Sequence, residues 1–181
     1  HTVVRFDSRG TGSTPATPEP FSTRLFAADA AQLLDSLGLG PAHVLGHSMG
    51  GRVAQWLALD RPELVRTLVL AASGPGHYSA DVPAVTGVPL QHALGVASKG
   101  YRGFLDWHTR ATFFTPEAQG SPAADWLLDA FWASAPDLEG YFRHVIARQQ
   151  HNTVALLDRI TQPALVLVGD RDTHRGGTGS H

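Results

Sequence analysis

The 181-residue sequence contains no cysteine. That excludes disulfides, a thiol nucleophile and cysteine-ligated zinc, and it removes any redox clue to compartment. No apolar run is longer than a strand, so no transmembrane helix is expected. Long runs of one charge are also missing. Lys+Arg 14 and Asp+Glu 16 give a formal net charge of -2, and nothing marks a nucleic-acid surface. No H-E-x-x-H occurs, and His43 and His47 stand four apart on a strand-like run, so a metal site is not expected. The opening, His1-Thr2-Val3-Val4-Arg5-Phe6, has neither an initiator methionine nor a signal-peptide pattern, and a cytoplasmic location is the expectation. What is present is a 43% hydrophobic chain of single-domain length, enough to bury a core.

The spacing predicts an alternation of strands and helices. Thr2–Phe6 is β-branched and reads as a buried strand. Asp7–Pro20 is a loop rich in Gly, Pro, Ser and Thr. From Ser22, Leu25, Phe26, Ala30, Leu33, Leu34 and Leu37 recur at helical spacing, and Gly38 and Gly40 stop the helix. His43–Gly46 is the next strand, and residues 50–60 form a helix ended by Arg61-Pro62. Thr67–Ala71 and Ala164–Val168 are two more strands. Strands separated by such helices pair in parallel. From Ser73 to about Gln162 the pattern becomes helical and aromatic, centred on Phe104/Trp107/His108, on Trp126 to Phe131 and on Tyr141 to Ile146. Such an insertion reads as a cap whose aromatics form its own core. Gly38-Leu39-Gly40 is no dinucleotide fingerprint, because these glycines end a helix and precede a strand.

The chemistry-bearing stretch is Gly46-His47-Ser48-Met49-Gly50, a G-x-S-x-G with a strand before it and a helix after it. A serine held out at a strand end forces a sharp, strained turn. A Cβ at position 46 or 50 is expected to collide with the neighbouring elements. In return, the Met49 N–H and the positive end of the following helix point at one spot, where they would stabilise an oxyanion. His47 is expected to line the pocket. An Asp just past the end of the last strand would orient an imidazole, and on that ground Asp170 and Asp172 are equal candidates.

These motifs resemble the α/β-hydrolase family. Gly46–Gly51 resembles its nucleophile elbow. Phe6-Asp7-Ser8-Arg9-Gly10-Thr11-Gly12-Ser13 resembles the loop after its fourth strand, and Val168-Gly169-Asp170-Arg171-Asp172-Thr173 resembles the acid-bearing segment after its seventh. The resemblance implies a parallel-sheet α/β core holding strands 4–7 of the family, in residues 1–74 and 163–181, with a helical cap over 75–162 between strands 6 and 7. It implies Ser48 as nucleophile, Asp172 as triad acid and Met49 as an oxyanion donor, with no cofactor and a small-molecule substrate. The cap and the Ile160–Val166 run look most like the enol-lactonase and cofactor-free haloperoxidase-like branch. In the loop, Gly10 and Gly12 are expected at positive φ, with Asp7 and Arg9 tied to each other.

The family takes its base from a histidine after the eighth strand and a second oxyanion N–H from the loop after the third. Neither is expected within this chain, which reads as a fragment, poorly stable and inactive on its own. His174 and His181 do not stand where the family places its base. His77, His92, His108, His144 and His151 read as solvated cap or cap-edge residues. The expected reaction of the parent is serine hydrolysis of an ester, thioester or lactone of a small, apolar organic acid. The alternatives are an acyltransferase on the same fold and a non-catalytic relative.

Overall fold

A computed structural model describes residues 2–76, 88–170 and 172. The element order is α1 (Thr23–Leu37), β1 (Ala42–His47), α2 (Met49–Asp60), β2 (Val65–Ala71), α3 (Leu90–Phe113), α4 (Pro122–Trp132), α5 (Leu138–Gln149) and β3 (Ala164–Leu167). Short 3-10 turns, Pro62–Leu64 and Val154–Arg159, precede β2 and β3. The chain divides into two compact units. One joins His1–Glu19 to Gly87–Arg143, the other Pro20–Thr86 to His144–His181.

In the sheet-bearing unit the three strands lie in the order β1-β2-β3, all parallel. Helix α1 starts where its sequence says it should. Ser22 caps it by accepting the Leu25 N–H at 3.0 Å, and Gly38 closes it at φ 62. Its buried face carries Phe26, Ala27, Ala30 and Ala31, and α2 offers Ala54, Leu57 and Ala58. The alanines and Leu57 join Leu64, Val65 and Leu68 in one core cluster, while Phe26 packs with Phe21 and Ala147 in a second. Small alanines on both helices let the backbones approach closely, which favours dispersion contacts. Arg24 and Asp60 link α1 to α2 by two hydrogen bonds of 2.7 and 2.8 Å.

The strand expected at Thr2–Phe6 does not form. The segment pairs with no strand among the described residues, and Val3 is 85% and Phe6 48% exposed. A β-branched run becomes a strand only when its N–H and C=O groups find a ladder, and none is offered here. The strand expected over Ala164–Val168 forms over Ala164–Leu167. β3 pairs on one side with β2, and Leu165 to Val168 are exposed.

The other unit holds α3, α4 and the start of α5. Helix α3 bends at Gly100 (φ 71), which alone can take that backbone cheaply. His92 and Phe104 are buried in a ring cluster with Tyr101, His108 and Tyr141, and the His92 Nδ1 lies 2.7 Å from the Tyr141 hydroxyl. The Asp7–Ser13 loop belongs to this unit. Gly10 and Gly12 stand at φ 75 and 51, as expected. Asp7 and Arg9 are not tied as expected. Asp7 Oδ2 accepts the Ser13 N–H at 3.1 Å, while Arg9 donates to Thr17 Oγ1 at 2.5 Å and lies 3.8 Å from Glu19. Gly12 places its hydrogen where a Cβ would meet the Asp7 carboxylate, so the carboxylate turns to the loop's own amides.

Candidate active site

Ser48 sits between the end of β1 and the start of α2 at φ 50, ψ -116. It is one of two described non-glycine residues at positive φ; the other is Ala72, at φ 47, just beyond β2. Such a backbone costs about 1–3 kcal/mol and persists only where its surroundings hold it. Those surroundings are explicit. The Ser48 N–H donates to the Ala71 carbonyl at 2.8 Å, and the Gly51 N–H returns to the Ser48 carbonyl at 3.1 Å. The hydroxyl makes no capping bond to α2, although serine at that position ordinarily does. It is half-buried and free of local duty.

The glycines around it differ in role. A Cβ on Gly46 would strike the Gly50 carbonyl and the Gly51 nitrogen, so glycine is required there. At Gly50 nothing described lies within 4 Å of the Cβ position, contrary to expectation. The close approach falls one residue later, where a Cβ on Gly51 would meet the Ser73 side chain. The reason is the helical turn: successive residues rotate by about 100°, and position 51 faces the sheet while position 50 faces out.

The Met49 N–H is a first-turn donor without an intrahelical acceptor. The Met49 side chain packs against Phe21, Phe26 and Ala147, which pins the backbone that carries the N–H. His47 is exposed beside Ser48. Asp172 is exposed just past β3, and its N–H donates to the Gly169 carbonyl at 3.0 Å; Asp170 is exposed too. Because β1 and β3 flank β2 in parallel, Ser48 and these carboxylates follow the same, carboxyl, end of the sheet, with β1 and β3 about 10 Å apart. Among the described residues, no hydrogen bond joins Ser48 to a histidine, and no three potential ligands gather for a metal. His77, His174 and His181 lie outside the described residues.

Two histidines expected in solvent are buried: His92, in α3, and His151, 2% exposed just after α5. His151 holds Thr23 Oγ1 at 2.9 Å and Thr153 Oγ1 at 3.3 Å. Burial, seconded by the nearby Arg52, pushes its pKa down to about 3, so the ring is neutral. Burial, seconded by Arg148, also lowers the Arg52 pKa, to about 10. Nothing in the sequence pattern singles out Thr23, Gln55, His151 or Thr153, which meet only in the folded chain.

A strained serine on a strand–helix corner, with helix N–H groups beside it, is the defining corner of one fold family. A family model described as alpha/beta hydrolase fold matches residues 1–119, and the chain belongs to that family. Among its relatives, the chain is 35% identical over 179 residues to "Putative carbamate hydrolase RutD" of Pseudomonas savastanoi pv. phaseolicola, covering 95% of this chain and 65% of that protein. Among solved structures, a hydrolase from Pseudomonas aeruginosa superposes with a TM-score of 0.74 at 28% identity, covering 91% of this chain and 60% of that one. The enol-lactonase from Burkholderia xenovorans superposes at 0.73 with 23% identity and the same coverage, a likeness of fold. The chain thus spans less than two thirds of the length of each.

Proposed function

We propose that the protein is a serine hydrolase that cleaves an ester, thioester or lactone of a small, apolar organic acid. The observation that carries this is Ser48: strained at φ 50, at a helix N-terminus, with its hydroxyl withheld from capping. In this reading Ser48 Oγ attacks the acyl carbonyl and loses its proton to a histidine outside the described residues. Asp172 orients that histidine and balances its charge. The Met49 N–H and the positive end of α2 hold the oxyanion, with a second donor from outside the described residues. The histidine returns its proton to the leaving alcohol or thiol. Water then repeats the sequence on the acyl-enzyme, releasing the acid and restoring the Ser48 hydroxyl. His47, exposed at the corner, lines the substrate side.

A second reading, a carbamate as substrate, is favoured by the name of the 35%-identical relative. It needs the same attack on a less electrophilic carbonyl. The two separate on the full-length protein by comparing a short-chain p-nitrophenyl ester with a simple alkyl carbamate. In both, Ser48→Ala lowers turnover by about four to six orders of magnitude without lowering the melting midpoint. Wild-type turnover in the Ser48→Ala variant would remove the nucleophile reading.

A further inference from the structure

The backbone of the Ser48 turn is strained, and something must hold it. Two threads lead away from it. The Ser48 N–H is bonded to the Ala71 carbonyl, and Gly51 abuts the Ser73 side chain. Ala71 is the last residue of β2 and Ser73 belongs to the segment that leaves it, which begins with the second strained residue, Ala72. That segment is anchored upstream, where the Ala72 N–H donates to the Leu167 carbonyl at 2.8 Å. Downstream it is held by buried polar groups, namely Gln55 Nε2 on the Gly74 carbonyl at 3.4 Å and the Thr153 N–H on the Pro75 carbonyl at 2.7 Å.

Those groups form a line. Thr153 Oγ1 donates to Gln55 Oε1 at 2.5 Å, its closest contact, so its proton is committed there. Its oxygen then accepts from His151 Nε2–H at 3.3 Å. A neutral ring protonated on Nε2 must accept on Nδ1, and Thr23 Oγ1, 2.9 Å away, is the donor. All donors therefore run one way: Thr23 to His151, His151 to Thr153, Thr153 to Gln55, Gln55 to the Gly74 carbonyl. Thr23, Gln55, His151 and Thr153 are each at most 2% exposed. In a buried chain of this kind each bond polarises the next, and losing one member leaves the others unsatisfied. Gln55 lies one helical turn from Gly51, so the line ends on the same face of α2 that meets Ser73.

We propose that the Thr23–His151–Thr153–Gln55 line clamps the segment after β2 against α2 and thereby holds the Ser48 turn in its reactive geometry. These four are positioning residues, and the proposal rests on the reading of Ser48 as nucleophile. None of them touches the reacting atoms. The line acts through Ala71 and Ser73 on the positions of Ser48 Oγ and the Met49 N–H, where small displacements are costly to rate.

The test compares Thr153→Val, which deletes the hydroxyl at nearly constant shape, with Thr153→Ser, which keeps it. Three readouts are taken on the full-length protein: kcat and KM on a p-nitrophenyl ester, the rate of fluorophosphonate labelling, and amide exchange at Ser48 and Gly51. Thr153→Val is expected to lower kcat and the labelling rate by about tenfold to a hundredfold with KM within about twofold, and to speed exchange at both amides. Thr153→Ser is expected to stay within about twofold of wild type in all three. A folded Thr153→Val protein with wild-type kcat and wild-type exchange would overturn the proposal, whatever its loss of stability. If Thr153→Val does not fold, Thr23→Val, which removes only the far end of the line, is read by the same criteria. If the wild-type protein neither turns over nor labels, the nucleophile reading has failed, and the exchange rates at Ser48 and Gly51 decide the clamp by themselves.

Discussion

Two turns in this chain are punctuated by glycine and contain serine, and they are built on opposite plans. In the Asp7–Ser13 loop the positive φ values fall on Gly10 and Gly12, where they cost little. Its polar groups bond to one another: Asp7 to the Ser13 N–H, Thr11 Oγ1 to the Ser8 carbonyl at 2.7 Å, Thr14 Oγ1 to the Asp7 carbonyl at 2.9 Å. At the Gly46–Gly51 corner the positive φ falls on Ser48, Gly46 and Gly51 only clear space, and the hydroxyl is left without a capping role. A loop whose strain sits on glycine and whose donors are matched is a structural loop. Strain on a non-glycine whose hydroxyl has no capping role is what the proposed nucleophile would need.

The comparison is broken most severely by alanine at one close-approach glycine in each turn. Gly46→Ala drives a Cβ into helix backbone and is expected to cost at least about 3 kcal/mol, with fluorophosphonate labelling lost even in the folded fraction. Gly12→Ala, at φ 51 against the Asp7 carboxylate, is expected to cost about 1–3 kcal/mol, with the labelling rate of the folded fraction unchanged. Urea midpoints and labelling rates measured together separate the two. Equal loss of labelling in both would erase the distinction between the turns.

A smaller effect comes from His151. Its folded pKa, about 3, lies below its ordinary 6.5, so between those values the unfolded chain binds a proton that the native one does not. Its neutral burial therefore stabilises fully above pH 6.5, and that contribution is lost as pH falls toward 3. Urea midpoints between pH 4 and 7 should drop with pH in wild type and drop less in His151→Asn. Equal slopes would mean that His151 titrates freely. The smallest effect is Gly50→Ala. With open space at its Cβ position and a helical backbone, it is expected to raise the stability by up to about 1 kcal/mol. A loss of several kcal/mol there would restore the original expectation that position 50 needs glycine.

What the sequence made legible was local. Ser22 and Gly38 announce the ends of α1 because capping is decided within four residues. The serine corner is legible for the same reason, since strand, turn and helix are contiguous. Which glycine meets a neighbour was not, because G-x-S-x-G does not say which side of α2 the sheet and Ser73 occupy. Thr2–Phe6 was misjudged because a strand is a property of its partner as much as of its own residues. The His151 line was illegible for a stronger form of that reason. Its bonds join residues 128 and 98 positions apart. A lone His in a helical, aromatic stretch gives no sign of them.

The central claim is that the strained residue at the end of β1 is the nucleophile. Its most direct test is mass-spectrometric mapping of the fluorophosphonate adduct on the full-length protein. The account requires a single adduct, on Ser48, that is absent from Ser48→Ala. An unlabelled protein, or an adduct on any other serine, would contradict it.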